Sequence, residues 1–169
     1  MSDDAALVGS GPPAVRLVRH LPHPPSEVWH AITDRHALGA WFPCDVEVAG
    51  GHWTPGAALT FRFPPEVIDL TMTGEVLLAE PPSRLAFTWG EETLRFELIA
   101  EEGGTRLVLV DELPPGIAAR NAAGWDECLD HLAGHETAEG WKDRFDRYVV
   151  AFTPSLGPQE GPPSGYRGG

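Results

Sequence analysis

Between Asp45 and Asp111 apolar residues recur at every second position, and turn-forming residues interrupt them at short intervals. The turn signals are Gly50-Gly51, Pro55-Gly56, Pro64-Pro65, Pro81-Pro82, Gly90 and Gly103-Gly104. A period of two sends alternate side chains to opposite faces of a strand, and closely spaced turns join such strands antiparallel. Leu59, Phe61 and Phe63 alternate with Thr60 and Arg62, and Ile68, Leu70, Met72, Val76 and Leu78 alternate with Asp69, Thr71, Thr73 and Glu75. Leu85, Phe87 and Trp89, then Leu94, Phe96 and Leu98, continue the pattern, which weakens over residues 105–110. The meander has one apolar face and one wet face, and the apolar face requires a cover.

The flanking segments supply that cover. Residues VRLVRHL from Val15 suit a first strand, ended by Pro22, Pro24 and Pro25. Ser26 then stands as a helix cap before EVWHAIT, where Val28, Trp29 and Ile32 share a face, and Asp34 can cap a second short helix containing Leu38, Trp41 and Phe42. After Pro114-Pro115-Gly116 the period turns helical again, with Trp125, Cys128, Leu129 and Leu132 on one stripe. Gly134 and Gly140 weaken that helix, and Trp141, Phe145, Tyr148, Val149 and Phe152 form a second stripe that either continues it or follows a break. The expected fold is α+β: a curved antiparallel sheet of six to seven strands wrapped around a long C-terminal helix, with two short helices after the first strand.

Residues 14–152 are expected to form this single domain. Residues 1–13 and the Gly/Pro-rich residues 153–169 read as disordered tails, because they offer little to pack. Against 12 basic residues stand 25 acidic ones, a formal net charge of −13. Such a field repels nucleic acid and anionic lipid surfaces. No apolar run approaches the roughly 20 residues that span a bilayer, and the acidic opening lacks the features of a secretory signal, so the expectation is a soluble cytoplasmic protein with no membrane partner. Two distant cysteines, Cys44 and Cys128, read as buried free thiols.

Several phrases carry a resemblance: PPSEVWHAITD from Pro24, LGAWF from Leu38, GEVLLAEPPSRLAFTW from Gly74, GGTRLVLV from Gly103 and AAGWDECLDHL from Ala122. Together with the element order they resemble the helix-grip superfamily of START-like and birch-pollen-allergen-like proteins. Within it they are similar to the bacterial branch named for the activator of the heat-shock protein 90 ATPase. Each phrase also has a packing role: Trp29 and Trp41 anchor short helices, and Trp125 pins the closing helix to the sheet. The resemblance implies a cavity between sheet and helix, lined by Trp41, Phe61, Phe63, Leu70, Met72, Phe87, Trp89, Phe96, Trp125, Leu129 and Leu132. Whether the seven Phe and six Trp wall this cavity or fill it is open at the level of sequence.

The first functional expectation is binding or sensing of a small hydrophobic ligand, lipid-like or aromatic. A second, implied by the branch name, is a co-chaperone-like regulator whose partner is a heat-shock protein 90 family ATPase. The eukaryotic namesake carries a further N-terminal domain for which the short segment before Ala14 cannot substitute. A third is a cyclase, dehydratase or hydrolase acting on an apolar ring substrate, with Asp111 or His30 as acid or base. Arg19 and Glu112 are further groups that could face inward, although carboxylates before Pro114 are ordinary at an exposed turn. His131 and His135 are four apart, with Glu127 and Glu136 nearby. Yet Glu127 and His135 would lie about 12 Å apart along a regular helix, so no metal or other cofactor is expected. Neither GxSxG nor a phosphate loop occurs. A monomer and a homodimer both fit the pattern.

Overall fold

The structure, a computed structural model, describes residues 4–135 and 138–167. Eight strands form one sheet: β1 (Ala6–Leu7), β2 (Ala14–Leu21), β3 (Asp45–Val48), β4 (Ala58–Arg62), β5 (Thr71–Glu80), β6 (Arg84–Trp89), β7 (Glu92–Glu101) and β8 (Gly104–Glu112). Their spatial order is β1-β2-β8-β7-β6-β5-β4-β3, and every neighbouring pair is antiparallel. The count exceeds the expected six to seven because Ala6–Leu7 adds an edge strand. Residues 1–13 were expected to be a disordered tail, but Ala5 is buried and its backbone N–H donates to the Tyr148 hydroxyl at 2.9 Å. Residues 1–3 of that segment lie outside the described residues.

Two short helices follow β2. Helix α1 (Pro25–Thr33) starts on a proline, whose missing N–H would be unpaired at a helix start in any case. It buries Val28 and Ile32. Asp34 ends α1 and caps α2 (Arg35–Leu38), its carboxylate accepting from Ala37 N at 2.9 Å. The indole of Trp41 then donates to the Ala31 carbonyl, which drives Trp41 and Phe42 into the space over the sheet.

The expected closing helix is two helices, α3 (Ala118–Ala133) and α4 (Trp141–Leu156). Gly134, at a φ of 73°, ends α3 in the left-handed region, where a side chain would be strained. Four alanines of α3, Ala118, Ala119, Ala122 and Ala123, are completely buried. Their small size lets the helix backbone come close to the sheet, and α4 packs against α3.

That close approach decides where the core is solid. Phe87 lies between Phe61 and Phe96 with ring centroids 6.0 and 6.2 Å away, while Phe42 bridges Phe87, Trp89 and Trp125. Near α3, β2 contributes Arg19, which is 2% exposed and pairs with Asp126 and Asp130 of α3. Arg144 from α4 pairs with Asp130 at 2.8 Å, and the Tyr148 hydroxyl donates to Asp126 at 2.8 Å. This buried network locks β2, α3 and α4 together.

The second expected tail is corrected as well. Helix α4 runs on to Leu156, and the following segment turns back over α3. The Gln159 side chain accepts from Ala119 N at 2.9 Å, satisfying an N–H left unpaired in the first turn of α3. Glu160 N donates to the Gly116 carbonyl, and Arg167 N to the Val67 carbonyl. Such backbone pairing leaves no trace in a Gly/Pro-rich composition. Residues 168 and 169 lie outside the described residues.

Candidate functional site

A cavity of about 350 Å³ opens where the return segment crosses the end of the sheet. Phe63, Val67, Ile68, Leu70 and Met72 form its wall on the sheet side, with Trp89 at its base. Helix α3 supplies Arg120, Asn121, Gly124, Glu127, Cys128 and His131, and Trp141, Pro162, Pro163 and Tyr166 complete the rim. A smaller recess of about 100 Å³ continues it inward to Trp125. Gly124 leaves the helix wall open: a Cβ there would meet only Trp141 Nε1, at 4.0 Å.

Of the eleven residues expected to line the cavity, Phe63, Leu70, Met72 and Trp89 do so, and Trp125 lines the recess. Trp41, Phe61, Phe87, Phe96 and Leu129 are instead packed into the core, where the inserted Trp41 and Phe42 and the alanine face of α3 leave no free volume. Leu132 packs at the edge of that core and lines neither space. The cavity is thus displaced from the centre of the concave face to one end.

At this end lies a pair of carboxyl groups. Trp89 pairs with Glu92 across the β6–β7 hairpin, and Leu94, two residues on, pairs with Asp111. The period of two therefore sets Trp89, Glu92 and Asp111 on one face. Glu92 lines the cavity, and Asp111, with no exposed surface, lies behind it. The two carboxyl groups adjoin one another. The Asn121 amide donates to both, reaching Glu92 Oε1 and, at 3.3 Å, Asp111 Oδ2, and the Trp125 indole donates to Asp111 Oδ2 at 2.9 Å. Among the described residues Asp111 Oδ1 has no hydrogen-bond partner.

Burial, first of all, raises the pKa of both groups. For Glu92 the Asp111 charge pushes the same way, with Arg120 opposing; for Asp111 the bonds from Glu92, Trp125 and Asn121 oppose. Two carboxylates in a dry site cannot both ionise readily, and the pair retains one proton near neutral pH. Burial also pushes the Cys44 and Cys128 thiols up to about 12, so neither is a nucleophile at neutral pH. The indole N–H of Trp89 adjoins the Cys44 thiol and has no geometrically sound partner among the described residues.

The remaining candidates divide clearly. His30 is exposed beside Asp34, Arg19 is held in the buried network, and Glu112 points away from the cavity to Arg95. His131 lines the cavity, but His135 follows the Gly134 cap, so the helical spacing of the two histidines is broken. Glu136 lies outside the described residues. No group of three metal-ligating side chains occurs among the described residues, and no described helix is long and apolar enough to cross a membrane. Sequence reasoning missed Glu92 and Asn121. Glu92 follows a glycine turn and reads as an exposed hairpin residue, and the face it shares with Asp111 is visible only once the strand register is known.

The family model described as Activator of Hsp90 ATPase homolog 1-like protein matches residues 22–147. No curated protein matches the chain. Among solved structures it is similar to a conserved protein of unknown function from Enterococcus faecalis, with a TM-score of 0.73 and 18% identity, covering 89% of this chain and 91% of that one. It is also similar to CalU16 from Micromonospora echinospora, with a TM-score of 0.67 and 21% identity, covering 90% and 94% of the two chains. DynU16, from the dynemicin biosynthetic locus, is 27% identical with a TM-score of 0.61, and the match covers 72% of this chain and 46% of that one.

Proposed function

The chain belongs to the activator of Hsp90 ATPase homolog 1-like family, and on that premise we propose that it binds a small, predominantly apolar molecule in the cavity between the sheet end, α3 and the return segment. The observation that carries this reading is a 350 Å³ space walled by Phe63, Val67, Ile68, Leu70 and Met72. That volume falls in the range of small-molecule sites, and a few polar groups converge at its inner end, as such sites require for orientation. The helix-grip fold, whose members commonly bind hydrophobic ligands, supports the same reading.

The test uses N-phenyl-1-naphthylamine, a neutral fluorescent ring compound, in titration against the protein and in thermal unfolding. Saturable fluorescence and a concentration-dependent rise in Tm are expected, because a ligand that binds only the folded state stabilises it. Gly124→Leu fills the cavity from the helix side and should abolish the signal while leaving the circular dichroism unchanged. Absence of saturable binding in the wild type, or equal binding in Gly124→Leu, would remove this cavity as the ligand site.

A further inference from the structure

We propose that the Glu92–Asp111 pair is the recognition site for a protonated amine, so that the ligand is a lipophilic amine whose ring or chain occupies the apolar part of the cavity. The proposal rests on the binding reading above and adds the chemical class of the ligand. It follows from the donors and acceptors at the inner end of the cavity. Two carboxyl groups bring four oxygens into a small space. The donors aimed at them, the Asn121 amide and the Trp125 indole, serve Glu92 Oε1 and Asp111 Oδ2. Asp111 Oδ1, on a fully buried side chain, has no hydrogen-bond partner among the described residues. The unpartnered Trp89 indole N–H adjoins the Cys44 thiol, so at the carboxyl pair itself, where Glu92 faces the cavity, acceptors outnumber donors and a ligand group reaching Glu92 has to donate.

The charge balance makes the donor a cation. Near neutral pH the pair carries one negative charge and Glu127 another, and Arg120 supplies one positive charge. His131, from α3, lines the cavity farther out. Glu112, next along β8, adds a negative field behind the pair and is itself bound to Arg95. Arg120 is tied in part to the Gly161 carbonyl of the return segment. The net field at the inner end is negative, in a protein of formal charge −13. An ammonium there gains a charge-assisted hydrogen bond to a half-buried carboxyl pair, whereas a carboxylate ligand meets repulsion.

The experiment compares three ligands of the same size: 2-naphthylmethylamine, 2-naphthalenemethanol and 2-naphthoate. Each is titrated at pH 7.5 into the wild type and into Glu92→Gln and Arg120→Gln, with the fluorescence of the cavity tryptophans as readout. The amine should bind the wild type at least tenfold more tightly than the alcohol, and naphthoate most weakly. Glu92→Gln should abolish that preference, bringing the amine to within about twofold of the alcohol in the same variant, and Arg120→Gln should tighten the amine severalfold. Alcohol binding without an amine preference, or a preference that survives Glu92→Gln, overturns the proposal and leaves the apolar-ligand reading standing. Failure of all three ligands to bind overturns both.

Discussion

Replacing Glu92 with Gln should make the protein more stable, by an amount that grows with pH. In the wild type, burial raises both carboxyl pKa values above their ordinary range near 4. The folded state then holds a proton that the unfolded chain has already released, so stability is lost as pH rises above the ordinary carboxyl range. One retained proton gives a slope of about 1.4 kcal/mol per pH unit, hence close to 3 kcal/mol between pH 5 and 7. Water entering through the cavity mouth screens half-buried Glu92, which makes that figure an upper bound. Gln keeps the shape: its oxygen can accept from Asn121, and its N–H₂ can donate permanently to Asp111, replacing the shared proton. Urea unfolding of both proteins at pH 5, 6, 7 and 8 measures the difference directly. The curves should converge at pH 5 and separate toward pH 8, with the variant more stable. Parallel curves, or a variant less stable than the wild type at pH 8, would refute the shared-proton argument.

Two further outcomes test the core and the thiols. Asp126→Ala leaves Arg19 and Arg144 buried without one of their counter-ions and removes the acceptor of the Tyr148 hydroxyl, so chemical denaturation should show a loss of about 3–5 kcal/mol. Burial pushes the Cys44 thiol up, so iodoacetamide at pH 8 should label Cys44 far more slowly in the folded protein than in urea, and half-buried Cys128, which lines the cavity, should be slowed by a smaller factor. Comparable labelling in both states would mean that the thiols are not desolvated.

The order of strands and helices and the faces of the meander were legible in the sequence, because periods of two and of 3.6 are local properties of backbone geometry. Phe61, Phe87 and Phe96 share the apolar face as their alternation requires, and Gly134 stops a helix where its missing side chain permits a left-handed turn. Where the apolar face is solid and where it is hollow was not legible. That depends on how closely α3 approaches, which its four buried alanines set, and on Trp41 and Phe42 arriving from a distant loop. Bringing Glu92 to Asp111 needed the register of β7 on β8, and the closure of the cavity needed Gln159 and Arg167 to find partners some forty and a hundred residues away. Local periodicity determined the face that the apolar side chains of the meander and helices take, since that follows from each residue's neighbours along the chain. Tertiary structure alone decided which of them meet, since distances between remote segments depend on every volume packed between them.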